Sequence, residues 1–534
     1  VSTGTTPGST SSTLFTRQSS GLVRTAGALD VLIFNLGLIS IGAAIATDHF
    51  FGPAFYPGSD LLWATILSTV GAALFVYGFW FWSVTFPRAG GNYVFLTRAI
   101  NPGVGFSLSF LECCVTLIFG GLTALFFVTT ALAPFFGTMA LVTGSTWWSD
   151  AGAWMATKNG LFITGVVSLV VATLLPAAGL RRYFTFQKLL FVVAMTGILL
   201  GLVALLLTSR SEFLASFQTR TGLTEAQVLS AAEGSGWVAT TATDLGATLK
   251  VMVWPLAWIL AGLYSVGFGS EIRRINRSQF VGMVGAVVLA GIVISAYVPA
   301  VNHTMGNNFV GALAWNSTSA PEASTTVSPY VPLLVALGIG SKVIGVIVGL
   351  GFVAWYLFLI PAQLVYGQRI MVAWSFDRLM PDALGRVSTR YATPLVATAV
   401  SFVAALGFFA WLVYGNLGKL VFVEGIVLVW CVVLAVGIVF PWVRPAFFNQ
   451  SPASAYRVGK VPLMTIVCAI GFAFGLFVEY LYLTDSLAAG HKATAILPNL
   501  ALLAAGALVY LVARAARRAQ GIDVGLAFKQ LPIE

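Results

Sequence analysis

The stretch LAGLYSVGFGSEIRRINRS (Leu260–Ser278) sets Gly262, Gly267 and Gly269 inside an apolar run that ends in Glu271 and three arginines. Glycine in a helix interior costs roughly 1 kcal/mol relative to alanine. A segment apolar enough to enter a bilayer, yet weakest in its own middle, is built either to be interrupted or to be approached closely. The rest of the chain bears on which.

The 534 residues are 58% hydrophobic and only 9% charged, with a mean hydropathy of +0.91. Soluble domains carry about 25% charged residues, so this composition belongs in lipid. Twelve apolar runs lie at about 28–48, 61–84, 104–133, 159–178, 185–208, 250–271, 279–301, 338–371, 394–414, 418–442, 462–484 and 494–514. Each can cross ~30 Å of hydrocarbon as a helix. Barrel strands would alternate in polarity instead, so the expected class is an all-α membrane protein with twelve transmembrane helices. Residues 1–26 are rich in Ser, Thr and Gly and read as a disordered tail. No charged, apolar and cleavable triplet of regions precedes the first span, so no signal peptide is expected. Cys113, Cys114, Cys431 and Cys468 fall inside spans and read as reduced core residues.

With twelve spans both termini share one side. If that side is the cytoplasm, 21 of the 28 Lys and Arg residues are inside and seven outside, the bias the positive-inside rule expects. The net charge of +10 is then an orientation signal, and its spread over separate loops argues against a nucleic-acid partner. The location implied is the cell membrane.

The first span, ALDVLIFNLGLISIGAAIATDHF (Ala28–Phe50), carries Gly37, Ser40 and Gly42 in its middle. Twelve residues separate Asp30 from Gly42, and twelve separate Lys250 from Gly262, about 18 Å of helix in each case. Both weak points fall near the bilayer midplane, in spans one and six, each opening a group of five. Paired interruptions of this kind point to an inverted repeat with a binding site between two broken helices. Freed N–H groups at a half-helix N-terminus suit a carboxylate, and freed carbonyls suit an ammonium. The competing reading is that these glycines only let helices pack closely.

Two loops add a resemblance. FPRAGGNYVFLTRAINPGVGF (Phe86–Phe106) resembles the loop after the second span in the amino acid–polyamine–organocation (APC) superfamily, and RIMVAWSFDRLMPDALGRVSTRYATP (Arg369–Pro394) resembles its eighth-to-ninth connection. IGAAI (Ile41–Ile45) is similar to the glycine motif of that family's first span, and SEIRRINRS to the end of its sixth. Over roughly residues 28–520 the resemblance implies a LeuT-like five-plus-five inverted repeat with two extra helices. It implies transport of amino acids or related amines by alternating access. By position, Ser40, Ile41, Gly42, Ala43 and Ala44 would hold the substrate carboxylate, in the register Ser40-Ile41-Gly42 or Gly42-Ala43-Ala44. Gly262, Leu263, Tyr264 and Ser265 would receive the amino group. Trp258 matches an aromatic gate residue, or is an ordinary packing tryptophan. Arg277 stands where the family usually has proline.

The implied division is a tail over 1–26, a first repeat over 27–208, an outer loop over 209–249 and a second repeat over 250–442. Two further helices over 443–516 and a cytoplasmic tail over 517–534 complete it. The later outer loop, 302–337, is expected to form a lid; its Asn302 and Asn316 sequons read as chance. No Ser or Thr lies between Lys342 and Trp374, which removes the hydroxyls that hold sodium in sodium-coupled relatives. Ala194 occupies the position of a coupling lysine found in some proton-coupled relatives, while Lys188 reads as a snorkelling interfacial anchor. Glu112, about eight residues into the third span, is the candidate proton-coupling group, with structural pairing as its alternative. Glu424 and Glu479 read as interfacial, and Glu271 as paired with Arg273 or Arg274. His49, His303 and His491 fall in expected outer loops without metal-ligand spacing, so no metal, cofactor or enzyme activity is expected. A non-transporting sensor or a channel-like protein on the same fold is the alternative reading. The substrate, the coupling ion and the oligomeric state stay open.

Overall fold

The computed structural model describes residues 22–240, 242–319, 327–415, 422–488 and 493–529. Arg17, Lys419, Lys492, His491, most of the 1–26 tail and the end of the 517–534 tail lie outside them.

The chain is an all-α, multi-pass membrane protein with twelve helices long and apolar enough to span. In order they are Ala28–Phe55, Leu61–Thr85, Pro102–Thr143, Lys158–Ala177, Leu180–Leu207, Leu245–Gly267, Ile275–Thr304, Lys342–Phe376, Leu395–Tyr414, Val423–Val443, Leu463–Thr484 and Ala495–Ala519. Their starts follow local chemistry. Asp60 accepts from the N–H groups of Leu62 and Trp63 to cap the second span. Asn101 caps the third, with Pro102 in the first turn where its missing N–H costs nothing.

Burial separates inner from outer helices. The most apolar window of the first span is 78% buried inside the protein, against 22% for the twelfth. The first span packs on the fifth, sixth, seventh and eighth, while the eighth also runs along the third and fifth. The tenth and eleventh lie side by side, and the twelfth covers the third. An interrupted helix can survive at the centre of such a bundle because neighbouring helices satisfy its freed backbone groups.

Several expectations are corrected. The first span continues to Phe55, so His49 is not in a loop but fully buried in a helix. Helix Asn307–Ser319 packs over this outer half and supplies the cover that makes burial of polar residues there feasible. Residues 22–26 are not a free tail. Thr25 and Ala26 donate their N–H groups to the Glu271 carbonyl at 2.9 and 3.0 Å, and Arg273 N–H returns to the Ala26 carbonyl at 2.8 Å. Beyond Ala519 the chain docks rather than trails, with Phe528 under the Arg98 guanidinium at 5.1 Å. Asn316 is buried and donates to the Val228 carbonyl at 3.0 Å, which withdraws it as a glycosylation acceptor.

The two outer loops fold as helices Arg210–Thr221, Glu225–Gly234, Asn307–Ser319 and Val331–Gly338. Arg220 ties two of them together by donating to the Leu337 carbonyl and, at 2.8 Å, to the Ile339 carbonyl. A cation there complements the negative end of helix Val331–Gly338.

Candidate functional site: two breaks and a buried carboxylate

The first span breaks at one residue. Ser40 has φ +50° and ψ +69°, the left-handed region that non-glycine residues rarely adopt, between helices Ala28–Ile39 and Ile41–Phe55. The break thus falls at the first residue of the Ser40-Ile41-Gly42 register, and Ile41, Gly42, Ala43 and Ala44 belong to the half-helix that follows it. By helix geometry Ile41, Gly42 and Ala43 carry the first-turn N–H groups of that half. The Ser40 hydroxyl donates to the Trp355 carbonyl of the eighth span at 3.1 Å. The same tryptophan explains Gly42, where a Cβ would lie 2.6 Å from its ring.

The sixth span breaks differently. Residues Val253–Ile259 are α-helical, Leu260–Gly267 form a 3-10 helix, and Gly269–Glu271 form another. The interruption is thus longer than the expected Gly262–Ser265, and no inner α-helical half follows it. Each glycine of the opening stretch sits where a side chain would collide. A Cβ on Gly262 would meet Val287 at 2.8 Å and Ile39 at 3.2 Å, one on Gly267 would meet Tyr366 at 2.4 Å, and one on Gly269 the Arg88 backbone at 3.1 Å. Interruption and close approach are both true: a 3-10 segment is held by neighbours that only glycine admits.

Asn35, five residues before Ser40 in the first span, binds the sixth-span break. Its amide donates to the Ser265 hydroxyl at 2.9 Å and to the Gly282 carbonyl at 2.7 Å, and its oxygen accepts the Ser265 N–H at 3.1 Å. The Ser265 hydroxyl in turn donates to Gln279 at 2.6 Å, and the Gln279 amide donates to the Ser265 carbonyl at 3.1 Å. All three side chains are completely buried. The sequence reading missed Asn35 and Gln279; the signal available was an amide side chain inside an apolar helix. Leu263 is buried with them, while Trp258 lies above the breaks and donates to the Thr47 hydroxyl at 2.7 Å.

Tyr264 faces another way, toward Glu112. The Glu112 Oε1 accepts from Asn92 at 2.7 Å, Tyr366 at 2.8 Å and Trp430 at 3.1 Å, while Oε2 has no partner among the described residues. Tyr264 packs its ring 4.7 Å from Tyr366 and edge-on to Trp430 at 5.8 Å. One carboxylate therefore gathers the second loop and the third, eighth and tenth spans behind the sixth-span break.

Toward the face that the charge bias assigns to the cytoplasm, two buried ion pairs lock the bundle. Glu271 pairs not with Arg273 or Arg274 but with Arg369, at 2.7 and 3.1 Å. Neighbouring arginines point to solvent, whereas Arg369 presents its fork from the eighth span. Arg98 holds Asp377 with two bonds of 2.6 and 2.8 Å, and Tyr93 adds a third of 2.7 Å. The two loops singled out in the sequence thus meet, one supplying Tyr93 and Arg98, the other Asp377. Gly90 N–H bonds the Gly267 carbonyl at 2.9 Å and fastens the sixth span to the first of those loops. Lys188 pairs with Asp30 at 2.7 Å while half exposed, as an interfacial lysine does. Ala194 is buried. A cleft of about 210 Å³ opens beside this region, lined by Thr25, Arg181, Arg182, Glu271 and Arg390 among others.

The fold and site define a multi-pass membrane protein with two interrupted helices in contact at its centre. Neither a family model nor a curated protein matches the chain.

Proposed function

We propose that this chain is a secondary carrier of the APC superfamily, with the LeuT-like five-plus-five inverted repeat, that moves amino acids or related amines by alternating access. It would lie in the cell membrane with both termini in the cytoplasm. The observation that carries this reading is the pair of breaks, at Ser40 and across Leu260–Glu271, with the first span bonded to the sixth-span break through Asn35, Ser265 and Gln279. Half-helix ends that meet inside a bundle offer N–H groups to a carboxylate and carbonyls to an ammonium. The groups that join the first span to the sixth-span break are neutral, and the nearby ion pairs are internally compensated, which suits a zwitterion. Glu112 is the proposed proton-coupling residue, because its bonds tie four elements to the back of the sixth-span break. The chain acts without a cofactor and is not an enzyme in this reading.

Purified protein in liposomes, screened against the twenty amino acids and polyamines with and without proton and sodium gradients, tests the proposal. Saturable uptake with counterflow is the expected result. Flux that rises without saturation would favour a channel, and binding without flux a sensor.

A further inference from the structure

The outer half of the bundle holds three carboxylates that transport through the central breaks does not use. Asp48 is completely buried in the first span, and Glu424 is buried in the first turn of the tenth. Both oxygens of each, and one oxygen of Glu479 in the eleventh span, have no hydrogen-bond partner among the described residues.

Packing brings them together. A Cβ on Gly437 would lie 2.5 Å from the Cys468 sulfur, and one on Gly475 would lie 2.6 Å from the Cys431 sulfur. The tenth and eleventh spans are therefore antiparallel in a register that sets Glu424 level with Tyr482, one turn from Glu479. The Tyr482 hydroxyl donates to the Val253 carbonyl of the sixth span at 3.2 Å. Next to it Trp254 stacks on Phe51 at 3.5 Å, and one turn on Trp258 binds Thr47, which brings Asp48 to the same level. Asn499 of the twelfth span adds a fourth acceptor. Its amide nitrogen is taken by the Ala495 carbonyl at 2.9 Å, and its unpartnered oxygen lies against Gly425. The other polar groups facing this region are His49, whose Nδ1 meets the Ile45 carbonyl, and Cys431, Tyr482 and Asp485. Asp485 accepts from Tyr56 at 2.7 Å. Among the described residues, none of these groups is a Lys or Arg.

A buried ionised carboxylate without a counter-ion costs several kcal/mol, and like charges nearby add repulsion. Among the described residues there is no group of three His, Cys, Asp or Glu that could hold a metal ion. We infer that Asp48, Glu424 and Glu479, with Asn499 beside them, form a proton-binding site in the outer half of the membrane domain, separate from Glu112. The site stands whether or not the transport reading holds.

Infrared spectroscopy of the full chain in lipid nanodiscs reads it directly, in a Glu112→Gln background. At neutral pH a carbonyl stretch of protonated carboxyl groups should be present. Asp48→Asn, Glu424→Gln and Glu479→Gln should each remove part of it, and the triple variant all of it. An unchanged band in all three variants overturns the inference. The unsubstituted chain gives a second reading that needs no variant to fold. Absence of the band at neutral pH overturns the proposal. Stabilisation by sodium or potassium at fixed pH, or loss of stability in Lys419→Gln or Lys492→Gln, would then identify the actual counter-charge.

Discussion

Two residues at the inner end of the bundle show how burial decides the worth of a charge. Arg98 and Asp377 are each about 1% exposed and bind through two short bonds, so removing one partner leaves the other uncompensated. Arg98→Ala should lower unfolding free energy by about 3–5 kcal/mol in denaturant titrations of the detergent-solubilised protein. Lys188→Ala, which removes a half-exposed partner of Asp30, should cost less than about 1 kcal/mol. Equal losses would contradict the burial argument. Ser40 poses a finer balance. Ser40→Gly relieves a left-handed strain of roughly 1–2 kcal/mol and gives up a hydrogen bond of about 1 kcal/mol, so stability should hardly move. Ser40→Val keeps the strain, loses the bond and should be clearly less stable in the same assay. The sequence named Ser40 among the weak residues of this span, together with Gly37 and Gly42, and the break falls at Ser40. Gly37 and Gly42 are there for the rings of Phe358 and Trp355, not for the turn.

At the scale of elements, the same glycines separate packing from propensity. Gly42→Ala and Gly267→Ala push a Cβ into Trp355 and Tyr366 and should each cost about 1–3 kcal/mol, read as a lower melting temperature. Gly407→Ala, in helix Leu395–Tyr414 with nothing within 4 Å of its Cβ position, should be neutral or stabilising by up to about 1 kcal/mol. Gly262→Val would collide with Val287 and Ile39, so lost transport in that variant would not by itself report a lost ligand contact. Helix Arg210–Thr221, between the fifth and sixth spans, offers a pH reading outside the membrane-spanning segments. The Ser209 N–H and hydroxyl hold the Glu212 carboxyl below its ordinary value. A depressed folded-state value stabilises the helix above the unfolded value, and the benefit is lost as pH falls through the folded one. Protection factors for hydrogen exchange in Arg210–Thr221, corrected for the intrinsic rate, should therefore fall on acidification, and Glu212→Gln should flatten that response. The existence of the elements was legible because apolar length is a local property. The partner of Glu271 was not, since Arg369 is 98 residues away and only folding brings it near.

For the whole molecule, span number and helical class followed from hydropathy alone, and the two loops singled out in the sequence interlock through Tyr93, Arg98 and Asp377. The polar interior was less legible. His49 read as a loop residue and Glu424 as an interfacial one because a polar residue at the end of an apolar run normally marks a water boundary. Here helix Asn307–Ser319 packs on the first span beyond Ser40, and the eleventh and twelfth spans pack on the tenth, so these groups lie inside protein. Asn35 and Gln279 passed unnoticed because neutral amides hardly alter a hydropathy average. Yet they tie the first, sixth and seventh spans into one polar centre, where removal of a partner strands buried groups at a cost of about 1–3 kcal/mol. The central claim is that the two breaks are where a substrate is held while access alternates. Trans-stimulated exchange in proteoliposomes, compared between the unsubstituted chain and Asn35→Leu, tests it most directly. The prediction is saturable exchange of at least one amino acid or amine, reduced more than about tenfold in a variant that still inserts and folds, the loss expected for a change of about 1.4 kcal/mol or more at the site. Exchange at the unsubstituted rate in folded Asn35→Leu would contradict it.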